Sequence, residues 1–325
     1  MRSGFFVTLF CLLSVLGFHR HLMAQVGIVM ESGPEFQVVE KSVSSILEDE
    51  DIKVLRFKLS KDAKYSDFLK FVKSKNPEVL VLMDNRAMEF GKQLAKEKDP
   101  VLNGIKSVAA MGLNLKTELK NDKNISGVAF EVPAYTILTN FRSLVKNRKL
   151  ENVLVIYRHD QFALMVEEAK RQLDREGIRL IAIDASDQPA GKLKSFLSSY
   201  LKPSYQGIRL DAILVITDSK LMNQKTFSSV WVSKARSLKI PMLCGIKKFV
   251  SPEFNFCSYA SFPDHVELGA QISQMVFSLL DGESTPEELG VEYILSVQQA
   301  VNEPMLKNMN IELKPDAKDK LIKSP

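Results

Sequence analysis

The sequence predicts an α/β protein composed of two Rossmann-like lobes. Short apolar runs alternate with amphipathic stretches along the chain, which is the repeating strand–helix unit of a parallel sheet. The alternation restarts after Phe130, which gives two series of similar length. The chain has 325 residues, more than one compact core usually carries, and this also favours two domains.

The first series of elements opens the chain after residue 25. Unbroken apolar runs such as 79–83 are typical of strands covered on both faces, whereas 52–59 alternates apolar and polar residues. The predicted strands are 26–30, 52–59, 79–83 and 107–111, and 124–130 is a short strand-like crossing. Apolar residues at helical spacing predict helices over about 38–47, 65–72 and 87–95.

The second series repeats the pattern. Pro133 is predicted to open a helix at its first turn, and Gly177 to end the helix that follows the next strand. The predicted strands are 153–157, 178–183, 212–216 and 241–243. Helices are predicted over about 161–176, 193–201, 227–235 and 264–280, the last of them stopped at Asp281-Gly282.

The N-terminus has the pattern of a signal peptide. Arg2 precedes an almost unbroken apolar run over 4–18, and Ala24 places a small residue just before Gln25. The run is shorter than the roughly 20 apolar residues that span a bilayer. Residues 1–24 are therefore predicted to be removed on export, which leaves a mature chain without a membrane-spanning segment.

Charge and cysteine content exclude several functions. The net charge of +5 falls to about +3 once Arg2 and Arg20 leave, and acids interrupt the C-terminal lysines, so no nucleic-acid partner is expected. Cys244 and Cys257 could pair in an oxidising compartment or be small buried hydrophobes, and the sequence leaves both open. No CxxC or His-rich spacing predicts a metal site.

Candidate ligand-binding residues follow from where open α/β sheets bind ligands. The site lies beyond the carboxyl ends of the strands, where helix N-termini favour anions such as a carboxylate. The loops that follow the predicted strands supply Glu31, Ser32, Asp84, Asn85, Arg86, Gly112, Arg158, His159, Thr217, Asp218 and Lys247.

Three of these residues suggest a ligand chemistry. Arg86 and Arg158, from opposite predicted lobes, can each clamp a carboxylate with a bidentate guanidinium, and Asp218 can accept an ammonium group. The alternative is structural, because Asp, Asn and Ser after a strand are ordinary helix N-caps. Under that alternative the two arginines are solvated or paired.

An enzyme is not predicted. The mature chain has only His159 and His265, and no GxSxG elbow marks a nucleophile. No GxGxxG or P-loop follows the first strand, so no cofactor is expected.

Several segments in order resemble the family of substrate-binding proteins of uncharacterised ABC-type transporters, whose best understood members bind aromatic amino acids. Two loops depart from the pattern. Asp84-Asn85-Arg86 replaces a small-residue Thr-Pro loop, and 246–249 replaces an acidic, serine-containing loop. The segments that carry the resemblance are 26–29, 125–128 followed by Pro133, 211–218, 239–245, 264–269 and Val301-Asn302.

The resemblance implies a type I periplasmic binding protein with its ligand cleft between two lobes. Lobe 1 would comprise 25–130 plus about 258–283, and lobe 2 would comprise 131–257 plus about 284–325. The implied function is a periplasmic solute-binding protein of an ABC-type importer. It would close on an amino acid or related carboxylate and engage an inner-membrane permease. A sensory or adaptor module of the same fold, or less favourably a secreted Rossmann-like enzyme, stays open as an alternative.

Overall fold

The computed structural model describes residues 24–322. The signal-peptide prediction therefore lies outside the described residues, apart from Ala24. Within the described part of the chain, no helix is long and apolar enough to cross a membrane.

The strands and helices follow one another in regular alternation. The first series consists of β1 (Gln25–Met30), α1 (Pro34–Asp49), β2 (Lys53–Lys58), α2 (Tyr65–Lys75), β3 (Val79–Met83), α3 (Asn85–Leu94), α4 (Pro100–Asn103), β4 (Lys106–Ala110), α5 (Leu115–Glu118) and β5 (Ile125–Ala129). The second begins with α6 (Ala134–Leu144), β6 (Asn152–Tyr157), α7 (His159–Asp174), β7 (Arg179–Asp184), α8 (Leu193–Tyr200), β8 (Ser204–Tyr205), β9 (Ile208–Arg209) and β10 (Ala212–Val215).

The remaining elements complete the second series and return to the first. They are α9 (Gln224–Thr226), a π-helical turn (Phe227–Trp231), α10 (Val232–Ser237), β11 (Met242–Cys244), a 3₁₀ turn (Lys247–Val250), β12 (Tyr259–Pro263), α11 (His265–Leu280), α12 (Pro286–Leu289), β13 (Val291–Tyr293), β14 (Val297–Val301), α13 (Glu303–Asn308) and a second 3₁₀ turn (Pro315–Lys320). Every predicted strand forms within one residue of its predicted bounds. Pro133, however, is the N-cap of α6 rather than a residue of its first turn.

The first compact unit is built on a sheet of order β13-β5-β4-β3-β1-β2. It comprises the described residues up to Leu115, Leu119–Val128 and His265–Glu292. Strands β1 to β5 pair in parallel, so their carboxyl ends share one edge of the sheet. Its core contains Phe68, Leu80 and Leu82, all fully buried.

The second unit is built on a sheet of order β14-β12-β11-β10-β6-β7. It comprises Lys116–Glu118, Ala129–Asp264 and Tyr293 onward. In this sheet β7, β6, β10, β11 and β12 are parallel, and β14 runs antiparallel to β12. Strands β8 and β9 form a separate antiparallel pair. Leu197, Ile213 and Trp231 are buried in its core.

The chain crosses between the two units at later residues than predicted. The sequence predicts residues 259–263 in the first lobe, but they form β12, which pairs with β11 and β14 in the second sheet. It predicts residues 284–292 in the second lobe, but β13 joins the first sheet beside β5. The crossings lie at 264/265 and 292/293.

Candidate functional site

Asp84 is the most unusual residue at the carboxyl edge of the first sheet. Its backbone has φ 107° and ψ 168°, a conformation that is essentially restricted to glycine. Its amide donates to the Ala110 carbonyl at 2.9 Å, and its Oδ1 caps α3 by accepting the Ala87 amide at 2.7 Å. The other carboxylate oxygen, Oδ2, is buried and has no hydrogen-bond partner among the described residues.

The electrostatic surroundings of Asp84 disfavour its charged form. Burial raises the pKa of the Asp84 carboxyl above its usual value, in spite of the hydrogen bond from Ala87. Repulsion by Glu31 raises it further, whereas a hydrogen bond from the Arg86 backbone amide and the positive charge of Arg86 lower it. The carboxylate is therefore held at this edge at a cost that its local contacts do not remove.

Asn85 and Arg86 hold neighbouring loops of the first unit in place. The Asn85 side chain accepts the Leu113 amide at 2.7 Å and donates to the Leu113 carbonyl at 2.9 Å. Arg86 donates through Nη1 to the Ser60 carbonyl at 2.7 Å and through Nη2 to the Ala63 carbonyl. The half-buried Arg86 thus holds the loop after β2, and its predicted role as a carboxylate clamp stays a prediction.

The other candidates in this unit differ in accessibility. Glu31 and Ser32 are exposed directly after β1. Gly112 is buried after β4, and a Cβ at this position would lie 3.0 Å from Leu115 Cδ2. Gly112 is therefore a packing position, whereas the two residues after β1 face solvent.

Arg158 and Asp218 form an ion pair at the carboxyl edge of the second sheet. Arg158 Nε donates to Asp218 Oδ2 at 2.7 Å, and this hydrogen bond raises the pKa of the arginine. The Arg158 side chain is 15% exposed and that of Asp218 is 0% exposed. Asp218 Oδ1 also accepts the Lys220 and Leu221 amides at 2.8 and 3.2 Å. Both oxygens of Asp218 therefore have hydrogen-bond partners within the unit, and its predicted role as acceptor of an ammonium group stays a prediction.

Arg158 keeps part of its hydrogen-bonding capacity. Nη1 lies 3.3 Å from Asp160 Oδ2, an exposed partner. Nη2 has no hydrogen-bond partner among residues 24–322. An arginine fixed at Nε and open at Nη2 can present a donor to an anion without reorganising its side chain.

The N-terminus of α7 is already occupied by the protein's own groups. The His159 amide donates to Ser186 Oγ at 2.7 Å and to Asp184 Oδ1 at 3.1 Å. Burial opposes ionisation of Asp184, but hydrogen bonds from Ser186 and His159 dominate and lower its pKa. The sequence interpretation missed these two residues. Their position directly after the predicted strand 178–183 is the signal that could have identified them.

Thr217 and Lys247 complete the predicted set. Thr217 is half-buried two residues after the end of β10. Lys247 is exposed at the start of its 3₁₀ turn, with Nζ 5.9 Å from the ring centroid of Phe262. Each unit thus carries its own set of polar groups at the carboxyl edge, and within the second unit Arg158 and Asp218 are brought into direct contact.

The cysteines and possible metal ligands add no further centre. Cys244 and Cys257 are both buried as free thiols, and burial together with the neighbouring Cys244 raises the pKa of Cys257. Among the described residues, no group of three or more His, Cys, Asp or Glu side chains could hold a metal ion.

The family model of the ABC transporter substrate binding protein matches residues 26–323. The chain belongs to this family. Membership implies a small-molecule ligand and an ABC-type permease as partner, and members are normally extracytoplasmic. The predicted family is thereby confirmed, and it is a family of substrate-binding proteins.

Solved structures share the fold of this substrate-binding family member. A substrate-binding protein with adhesive properties from Clostridium difficile, in a ligand-free open form, has a TM-score of 0.65 at 16% identity, covering 93% of this chain and 100% of its own. The ABC domain from Streptococcus pneumonia in complex with L-Trp has a TM-score of 0.55 at 17% identity, covering 91% and 98%. No curated protein matches the sequence. The predicted α/β fold with two Rossmann-like lobes, of the type I periplasmic binding class, is confirmed.

Proposed function

We propose that this chain is the periplasmic solute-binding protein of an ABC-type importer, and that it binds an amino acid or a related carboxylate by hinge closure. The observation that carries the proposal is the family match over 26–323, nearly all of the chain beyond the predicted signal peptide. Hinge closure around a ligand is the usual conformational change of two-lobed binding proteins.

The residue chemistry supports a carboxylate ligand. Arg158 offers an open Nη2 donor, and Asp218 fixes its guanidinium by a 2.7 Å bond. A guanidinium held in this way loses little conformational entropy when it binds an anion, which favours affinity. The neighbour from Streptococcus pneumonia holds L-Trp, an amino acid with such a carboxylate.

Native mass spectrometry of protein purified without refolding tests this proposal. We expect a bound small molecule that bears a carboxylate, and we expect calorimetry with that compound to give binding by the wild type. A panel of the twenty L-amino acids extends the test to protein that has lost its ligand. If neither experiment gives binding of a carboxylate compound, the proposed ligand class is wrong.

Export is the second part of the proposal. The charged start, the apolar run over 4–18 and the small residue Ala24 support cleavage of a signal peptide. N-terminal sequencing of the protein from the periplasm should begin near Gln25. Recovery of a chain that retains Met1 in the cytosol would contradict both the localisation and the role in import.

A further inference from the structure

The second unit contains a cavity at the amino edge of its sheet. The cavity has a volume of about 660 Å³, within the range of about 300–1,000 Å³ that is typical of ligand pockets. Val301, the last residue of β14, and Asn302 contribute to its wall. Val301 pairs with Tyr259, the first residue of β12, so this end of β14 lies where the parallel strands begin. The cavity is therefore distinct from Arg158 and Asp218, which lie at the carboxyl edge of the same sheet.

Apolar side chains form much of the wall of this first cavity. Val250 and Val301 are buried, and Leu321 and Ile322 are half-buried. The Ile322 amide donates to the Gln299 carbonyl at 2.9 Å, which fixes the C-terminal segment against the edge strand β14. An apolar group bound between these walls is removed from water, and burial of this kind stabilises a complex.

The buried amide in the wall already has its partners. Asn302 Nδ2 donates to the Val250 carbonyl at 3.2 Å and to Asn255 Oδ1 at 3.1 Å. Asn302 Oδ1 accepts the Met305 amide at 3.0 Å. Asn302 therefore shapes the wall, and the polar contact to a ligand must come from charged side chains.

Three charged side chains lie where a second cavity meets the first. The second cavity has a volume of about 520 Å³ and shares Glu303, Pro304 and Lys318 with the first. Lys307 also lines the second cavity. Within residues 24–322, the side chains of Glu303, Lys307 and Lys318 form no ion pair or hydrogen bond. Two cations and one acid give the junction a net positive charge, which complements an anion.

We propose that the first cavity is a binding site for an elongated apolar carboxylic acid, such as a straight-chain fatty acid. Its alkyl chain lies between the apolar walls, and its carboxylate lies at the junction with Lys318 and Lys307. Glu303 opposes the carboxylate, so its removal should have the opposite effect to removal of Lys318. The site is additional to the proposed import function and does not depend on it.

Isothermal titration calorimetry with acids of increasing length tests the proposal. The probes are hexanoate, octanoate and decanoate, and decylammonium is the counterpart of decanoate with the opposite charge. In the wild type we expect affinity to rise about two- to fourfold per added methylene group, because each one is buried. We also expect decanoate to bind about three- to tenfold more tightly than decylammonium.

Variants of the charged residues test the position of the carboxylate. Lys318→Gln should weaken decanoate about three- to fivefold without weakening decylammonium, and Glu303→Gln should strengthen decanoate by a similar factor. Lys320→Gln is the matched control, since Lys320 lies in the same 3₁₀ turn but pairs with Asp316 at 3.0 Å. It should leave both affinities unchanged.

The proposal is overturned if decanoate shows no saturable binding to the wild type, or if decanoate and decylammonium bind equally. It is also overturned if Lys318→Gln binds decanoate as tightly as the wild type does. Arg158→Ala distinguishes this site from the candidate residues at the carboxyl edge, and it should bind decanoate with wild-type affinity. A loss of decanoate binding in that variant would place the acid at the carboxyl edge instead. Failure of the amino-acid panel leaves these expectations unchanged, so the two proposals fail separately.

Discussion

The free-energy cost of the unpaired Asp84 oxygen should be measurable in the unfolding equilibrium of the ligand-free protein. The pKa of Asp84 is raised in the folded state by burial first, then by Glu31. The sign follows from proton linkage. An acid whose pKa is raised in the folded state does not reduce the free energy of unfolding below its usual pKa near 4. As the pH rises above that value, it reduces the free energy of unfolding progressively. At neutral pH, wild-type stability is therefore reduced by this group.

Asp84→Asn should consequently stabilise the ligand-free protein. We expect its free energy of unfolding to exceed that of the wild type by about 1 kcal/mol at pH 7, the lower end of the cost of an unsatisfied buried group. The difference should vanish near pH 4. Urea denaturation at a series of pH values measures both quantities. A less stable Asp84→Asn at pH 7 would mean that the open oxygen has a partner in solution.

The ion pair in the second unit should behave in the opposite way. Asp218→Asn leaves Arg158 without its buried partner, and breaking a buried pair typically costs about 3 kcal/mol or more. Asp160→Asn removes an exposed partner of the same arginine, and exposed pairs contribute less than about 1 kcal/mol. Urea denaturation of the two variants compares them directly. Equal losses would contradict the assignment of Asp218 as the residue that holds Arg158.

For single residues, the sequence predicted where the candidate ligand-binding residues lie along the chain but not which residues they contact. Arg158 and Asp218 are 60 residues apart, and they meet because β6 and β10 are neighbours in the sheet. Asn85 reaches Leu113 for the same reason, since β3 lies beside β4. Strand order is a long-range property, and no local pattern around these residues specifies it.

At the scale of elements, apolar runs predicted the parallel strands well because both faces of such strands are covered. The missed strands do not have such runs. Segment 259–263 contains Ser261 and ends in Pro263, and 297–301 contains Gln298 and Gln299. Segment 259–263 pairs with β11 on one side and with 297–301, the edge strand of the second sheet, on the other. Such weak local patterns predict a strand correctly only when the strand that pairs with it is known.

Two glycines in the motifs that carry the family resemblance have a packing explanation. A Cβ on Gly127 of β5 would lie 2.5 Å from the Ala109 carbonyl oxygen of the neighbouring strand. A Cβ on Gly269 of α11 would lie 2.5 Å from Ser42 of α1 and 3.1 Å from the Val39 carbonyl. Close packing therefore requires glycine at both positions, and their presence carries no information about the ligand.

Gly269→Ala should therefore destabilise the first unit by forcing α1 and α11 apart. Overpacking of this kind costs about 1–3 kcal/mol. Gly191→Ala is the control, because a Cβ there meets no atom within 4 Å. It should leave stability unchanged or slightly higher. Chemical denaturation followed by circular dichroism provides the comparison, and equal stability of the two variants would refute close packing at Gly269.

At the scale of the whole molecule, the chain is divided into two units, so thermal unfolding can show which unit binds the ligand. Each unit has its own sheet and its own buried core, so a single two-state transition is not guaranteed. A ligand stabilises whatever structure its contacts require, by about 2.7 kcal/mol when its concentration is 100 times its Kd. Calorimetric unfolding with and without ligand therefore reports which units the ligand engages.

A ligand that binds Arg158 should raise the unfolding temperature of the second unit, because its contact with that residue requires the unit to be folded. Differential scanning calorimetry of the wild type, with a bound amino acid identified by the panel, measures this shift. Arg158→Ala should lose the ligand-dependent shift of the second unit at a ligand concentration that saturates the wild type. A shift confined to the first unit in the wild type would show that Arg158 does not contribute to binding.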